Sequence, residues 1–205
     1  SLSSASTDNP SSAISFDGLT FAEALAAVAT KDKRVMLTLI DLGFVEMAVN
    51  MFLTCIQPQN ITNYLILSIH EDACDKLKPY NMNCYTYKKV KGASKASNFG
   101  SADFNRKTSS RAEMMKDALN SGFTILHTDA DMICFKNPFD HLHCDDCDIL
   151  TMIDGLADNY AVGFDYIRPT KPAIEVYERM QTMAESGTKV TKDLCCQIFK
   201  SQNVL

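Results

Sequence analysis

Phe123-Thr124-Ile125-Leu126-His127-Thr128-Asp129-Ala130-Asp131-Met132-Ile133-Cys134-Phe135 is an apolar run that stops on two aspartates one residue apart. Phe, Ile and Leu in such a run read as a buried strand. In an open α/β sheet, ligands bind in the crevice outside the carboxyl ends of the strands. On a strand extension, Asp129 and Asp131 share a face, because side chains alternate with period two. Two carboxylates this close repel, and both stay ionised only with a cation or several donors between them. Their hard oxygens suit Mn²⁺ or Mg²⁺, ions that usually come with substrate phosphates. The same spacing also describes solvated loop acids. The buried strand before the pair and the Phe135-Lys136-Asn137-Pro138-Phe139 turn after it favour a metal–diphosphate site.

Outward from this stretch, apolar strand patterns alternate with helical ones. Thr20-Phe21-Ala22-Glu23 is a capping box that opens a short Ala-rich helix to Val28. Val35 to Ile40 reads as a buried strand ending at Asp41-Leu42-Gly43. Val45, Ala48, Val49, Phe52, Leu53 and Ile56 recur at helical spacing. Tyr64 to Ile69 and Cys84 to Tyr87 read as strands around a short helix from Asp72 to Leu77. Ser110-Arg111-Ala112-Glu113 is a second capping box, predicting a helix that ends at Asn120-Ser121-Gly122. Asp148 to Ile153 and Val162 to Ile167 are further strands. Thr170 is expected to cap a helix bearing Ile174, Tyr177, Met180 and Met183 and closed by Gly187, and a last helix falls near Asp193 to Lys200. This alternation predicts an α/β fold with a mostly parallel sheet and helices on both faces. Lys88 to Lys107, rich in Lys, Ser, Gly and Asn, reads as a long loop, either solvated or a lid whose lysines meet phosphates.

The bulk numbers exclude some classes. A chain of 205 residues fits one domain with a substantial core, and 46% hydrophobic residues is ordinary for a globular fold. A net charge of −5 argues against general nucleic-acid binding. No apolar run approaches a membrane span. Residues 1–18 are polar, lack a signal peptide's apolar core, and read as a linker or stem remnant. Any membrane attachment is expected through an anchor N-terminal to this chain. Eight cysteines and the sequon Asn60-Ile61-Thr62 suit a secretory-pathway lumen. A cytosolic enzyme with free thiols fits the same count.

Several blocks together resemble the nucleotide-diphospho-sugar transferases. They are Val35 to Asp41, Asn50 to Ile56, Leu65 to His70, the Asp129-Ala130-Asp131 strand with Asn137-Pro138-Phe139, Asp148-Ile149-Leu150 with Asp154, and Gly163-Phe164-Asp165-Tyr166-Ile167-Arg168-Pro169-Thr170. The likeness covers Val35 to the C-terminus. It implies a GT-A fold over residues 19–205, a Rossmann-like sheet whose D-x-D holds Mn²⁺ (or Mg²⁺) against the diphosphate of a sugar nucleotide. It also implies a Golgi enzyme, or one of another secretory lumen, that moves a sugar with retention from a UDP-sugar to a glycan or glycoprotein. Carried onto this chain, Asp129 and Asp131 serve the metal, and Thr38, His70, Arg111, Asp129, Ala130 and Asp131 line the nucleotide-sugar site. Arg111 meets a donor phosphate, or else forms a surface helix salt bridge. Asp154 lies near the transferred sugar as the catalytic candidate, or else caps a turn. Asn60 is the glycosylation candidate.

The chain departs from the family pattern in places. Ala161-Val162 precedes Gly163 where the family usually has an Asn, and Cys196-Gln197 stands for an Asp-Gln pair. An Asn nearby is replaced by Lys200. Family members continue past this point through a His metal ligand and a diphosphate-binding loop. The expectation is therefore either a fragment or a protein that has lost part of its donor site. A catalytically impaired, transferase-like binding domain is the alternative function. Haloacid-dehalogenase-like phosphatases also place two acids so spaced at a strand end, with Asp129 as nucleophile and Asp131 as general acid. They need a later Lys and an acidic pair, and little chain follows here. His141-Leu142-His143-Cys144-Asp145-Asp146-Cys147 resembles half a zinc site without a matching second half. A disulfide involving Cys144 or Cys147 is the other reading. Met114, Met115, Met180 and Met183 read as core filler.

Overall fold

The computed structural model describes residues 14–87, 102–153 and 160–185. The predicted alternation is present. The elements are α1 (Phe21–Val28), β1 (Arg34–Ile40), α2 (Val45–Met51), β2 (Tyr64–Ser68), α3 (Glu71–Leu77), β3 (Cys84–Thr86), α4 (Ala102–Asn120), β4 (Thr124–Thr128), β5 (Ile149–Ile153), β6 (Tyr160–Ile167) and α5 (Lys171–Glu185). The expected closing Gly187 and the helix near Asp193 lie outside the described residues.

The strands form one sheet in the order β3-β2-β1-β4-β6-β5. β3, β2, β1 and β4 are mutually parallel, β6 runs antiparallel to β4, and β5 runs antiparallel to β6. The chain leaves β1 for β2 on one side and later returns to pair β4 on the other. The carboxyl ends of β1 and β4 thus flank a topological switch point, the place where an open α/β sheet binds its ligands.

Period-two alternation sends neighbouring strand residues to opposite faces. Val35, Leu37, Leu65, Leu67, Ile125, Ile149 and Ile167 face α1, α4 and α5. Met36, Ile40, Ile66, Leu126 and Tyr166 face α2 and α3. Helices cover both faces, as the sequence predicts. Met114 and Met115 are buried and Met180 and Met183 pack against the same core, so the methionines are filler. The Thr20 capping box is formed, with the Glu23 amide donating to the Thr20 hydroxyl and the Thr20 amide to the Glu23 carboxylate.

Three expectations need correction. α4 begins at Ala102, so Ser110 is a buried residue inside a helix and not its cap. No Gly or Pro interrupts Ala102 to Ser109, and α4 docks along the sheet and on α5, which extends the helix past a local capping signal. The long loop is shortened accordingly. Its residues 102–107 are helical, and 88–101 lie outside the described residues. Third, β4 ends at Thr128, and Ala130 and Asp131 form a turn. Asp131 is therefore placed by the turn rather than by strand alternation with Asp129. The helix predicted over Val45 to Ile56 is present but changes winding, closing as a π-turn over Phe52–Ile56.

Candidate functional site

The carboxyl edge of the sheet gathers the chemistry. Asp41 follows β1 and accepts a hydrogen bond from the Gly43 amide at 2.8 Å, capping the turn at Leu42–Phe44. His70 follows β2 at the N-terminus of α3, where its amide donates to the Ser68 hydroxyl at 2.9 Å and its ring stands 3.9 Å from Asp72. Asp129 follows β4, and its amide donates to the Gly163 carbonyl at 2.9 Å, prolonging the β4–β6 ladder by one residue. Its carboxylate lies against the Cα of Gly163, where any side chain would strike it. Arg111 reaches down from α4 and donates through Nη2 to Asp129 Oδ1 at 3.1 Å. Both side chains are partly exposed, so the pair's own contribution to stability is small. Its value is geometric, since it fixes which way the carboxylate faces.

Beneath this pair lies a second acid. Asp165 of β6 is buried on the same face. The Thr151 hydroxyl donates to its Oδ1, and His127 Nδ1 stands 3.9 Å from its Oδ2. Burial pushes Asp165 up to about 7, against the pull of the Thr151 hydrogen bond and of Arg111, with the Asp129 charge adding to the rise.

Other expected site residues fall elsewhere. Thr38 projects from β1 to the opposite face, where it is buried and its hydroxyl bonds Thr128 Oγ1 at 2.7 Å beneath Met51. Ala130 is buried in the core on the α2 side. Asp131 is exposed on the turn. Asp154 lies outside the described residues. Asn60 is exposed with φ +51°, the left-handed conformation an Asn commonly takes just past a helix.

The loop after Asp131 is tied down. Disulfides join Cys55 to Cys134, Cys74 to Cys84 and Cys144 to Cys147. Their connectivity was not readable in the sequence. The Cys144–Cys147 bond removes both thiolates of the half zinc site, so that reading falls. Arg168 donates to the Cys144, Asp145 and Cys147 carbonyls at 3.2, 2.8 and 3.1 Å, folding residues 144–147 around its guanidinium.

The Asp129 carboxylate at the end of β4, with Asp131 exposed on the turn that follows, offers the hard oxygens that a divalent ion would take. Such ions are commonly held by one or two carboxylates, with substrate phosphates and water completing the shell. A cationic guanidinium already stands beside Asp129. Among the described residues no three His, Cys, Asp or Glu side chains form a cage of their own. A metal here would share its coordination with a ligand.

Residues 59–204 match the family model described as nucleotide-diphospho-sugar transferase. Two curated relatives are the Arabidopsis thaliana proteins named Arabinosyltransferase RRA1 and Arabinosyltransferase RRA2. The chain is 29% identical to the first over 102 residues, which are 36% of this chain and 25% of that protein. It is 29% identical to the second over 101 residues, 36% of this chain and 23% of that protein. The match thus spans about a quarter of each relative. Among solved structures, one named PaToxG Glycosyltransferase superposes with a TM-score of 0.56 at 13% identity, over 89% of this chain and 74% of that one. This likeness concerns the fold, a GT-A-like sheet flanked by helices.

Proposed function

This chain belongs to the nucleotide-diphospho-sugar transferase family, and we propose that it moves a sugar, with retention of configuration, from a UDP-sugar to a glycan or glycoprotein acceptor. The observation that carries this reading is Asp129, at the carboxyl end of β4 beside the switch point, held by Arg111. Asp129 and Asp131 would hold Mn²⁺ or Mg²⁺, which when bound offsets the charge of the donor's diphosphate. Arg111 offers guanidinium donors suited to a phosphate oxygen. His70 and the Asp41 turn border the same sheet edge and are available to the nucleotide's base and ribose. Asp154, on the family likeness alone, lies near the transferred sugar. The phosphatase alternative is set aside by the family match. A binding domain without turnover is retained as an outcome of the test.

The location follows the same reading. Three disulfides and an exposed Asn60 in a sequon support a secretory-pathway lumen, the Golgi in particular.

The decisive experiment is titration calorimetry of UDP with and without Mn²⁺, on wild type and Asp131→Asn. Wild type is expected to bind UDP only with Mn²⁺. The exposed Asp131→Asn is expected to lose that binding with the melting temperature unchanged. Equal UDP affinity in the variant would refute the metal assignment, and metal-dependent binding without hydrolysis of any UDP-sugar would favour the binding domain.

A further inference from the structure

We propose that Asp165 is a positioning residue, a buried carboxylate that holds the Arg111 guanidinium over the sheet and through it sets binding of the donor diphosphate at Asp129. Only the last step rests on the nucleotide reading above.

Asp165 is 2% exposed. Its register partners are His127 on β4 and Thr151 on β5. The Thr151 hydroxyl donates to one oxygen, and His127 stands beyond hydrogen-bond reach of the other. A single neutral donor does not offset the burial of a carboxylate. Two residues earlier on the same strand face, Gly163 abuts the carboxylate of Asp129. Arg111, from the helix above, contacts Asp129 at 3.1 Å. The guanidinium therefore lies over the sheet face that bears both acids. The charges of Arg111 and Asp129 are both felt at Asp165, with opposite signs.

One sheet face thus carries a buried acid, Asp165, and above it the contact between Arg111 and Asp129. The inner acid has a distinct signature, because an asparagine of the same shape would still accept from Thr151 and would carry a much smaller desolvation cost than an ionised carboxylate. If Asp165 served packing alone, that replacement would leave the outer pair unchanged. If it anchors Arg111, the replacement frees the guanidinium to move away from Asp129.

The test has two arms. The first is a double-mutant cycle of Arg111→Gln and Asp165→Asn, read by thermal unfolding of the unliganded protein at pH 8, where Asp165 is ionised. Arg111→Gln leaves a buried carboxylate without its counter-charge, so it is expected to lower the midpoint more in the presence of Asp165 than of its amide. The non-additivity is expected to exceed about 2 °C. The smaller Asp165→Ser repeats the cycle if the amide is poorly accommodated. The second arm is calorimetry of UDP with Mn²⁺ at pH 8. Asp165→Asn is expected to weaken binding roughly ten- to hundredfold while its midpoint is equal to or above that of wild type. A purely structural residue would not lose affinity while keeping stability. Additive midpoints would overturn the proposal, as would wild-type UDP affinity in Asp165→Asn. If wild type itself binds no UDP with Mn²⁺, the nucleotide reading and the last step fall together. The cycle then still decides whether Asp165 holds Arg111.

Discussion

Gly163 matters for the side chain it lacks. Its strand position turns the missing Cβ into the carboxylate of Asp129, which its own carbonyl helps to place through the Asp129 amide. Gly163→Ala must push that carboxylate aside. The displaced atoms are the end of a partly exposed side chain, so the melting temperature is expected to stay within a few degrees. UDP affinity in the presence of Mn²⁺ should fall about tenfold or more. Unchanged affinity by calorimetry would show that the orientation of Asp129 is not critical. Asp165 supplies a second prediction. Its folded-state pKa, about 7, lies above the ordinary carboxylate value of 3.8. The native protein then holds this proton more tightly than the unfolded chain. The resulting stability is complete below about pH 4 and is lost as pH rises through 7. Wild type should therefore lose stability relative to Asp165→Asn between pH 4 and 8, with Arg111 and Asp129 as the facing charges and His127 as the facing titratable group. Parallel stability curves would contradict this. The sequence singled out Arg111 and Asp129 as candidates, and the structure adds their contact, which no local pattern reveals. Asp165 was an unremarked position inside a family block, because nothing local reveals that it is buried on the sheet face that bears Asp129.

At the scale of elements, the disulfides brace the edge that bears the site. Cys55 sits in the π-turn after α2 and Cys134 in the loop after Asp131, so one bond ties the α2 layer to that loop. Gln59 adds a hydrogen bond to the Cys134 carbonyl at 3.3 Å. Cys74–Cys84 joins α3 to the edge strand β3. The first bond spans 79 residues and the second 10. Chain-entropy reasoning gives about 4.5 kcal/mol for the longer loop and about 2.7 kcal/mol for the shorter. Paired Cys→Ala variants should therefore rank in that order in denaturant midpoint, and equal or reversed losses would point to native-state effects instead. The starts and ends of most elements were readable from periodicity and caps. The start of α4 was not, since a capping box at Ser110 is a local signal and docking on the sheet and α5 extends the helix past it.

For the whole molecule, two apolar layers on opposite faces of one sheet set the architecture. No helix among the described residues is long and apolar enough to cross a membrane. Six of the eight cysteines are bonded, and Cys195 and Cys196 lie outside the described residues. Protein from its native source should therefore show at most two free thiols when titrated under denaturing, non-reducing conditions. Eight free thiols with an unmodified Asn60 would place it in the cytosol instead.

The sequence by itself determined the α/β alternation, the two-faced sheet and the family, since period-two and period-3.6 patterns and ordered motifs are local properties of the chain. It also located Asp129 at a strand's end. Tertiary structure decided what no local pattern encodes. It reversed β6 within the sheet, turned Thr38 to the face away from Asp129, chose the cysteine pairs, and set Arg111 against Asp129 with Asp165 on the same face. Each of these depends on residues far apart in sequence meeting across strands or layers. Such pairings are selected by the packing of the whole core, because only there do burial and charge act together.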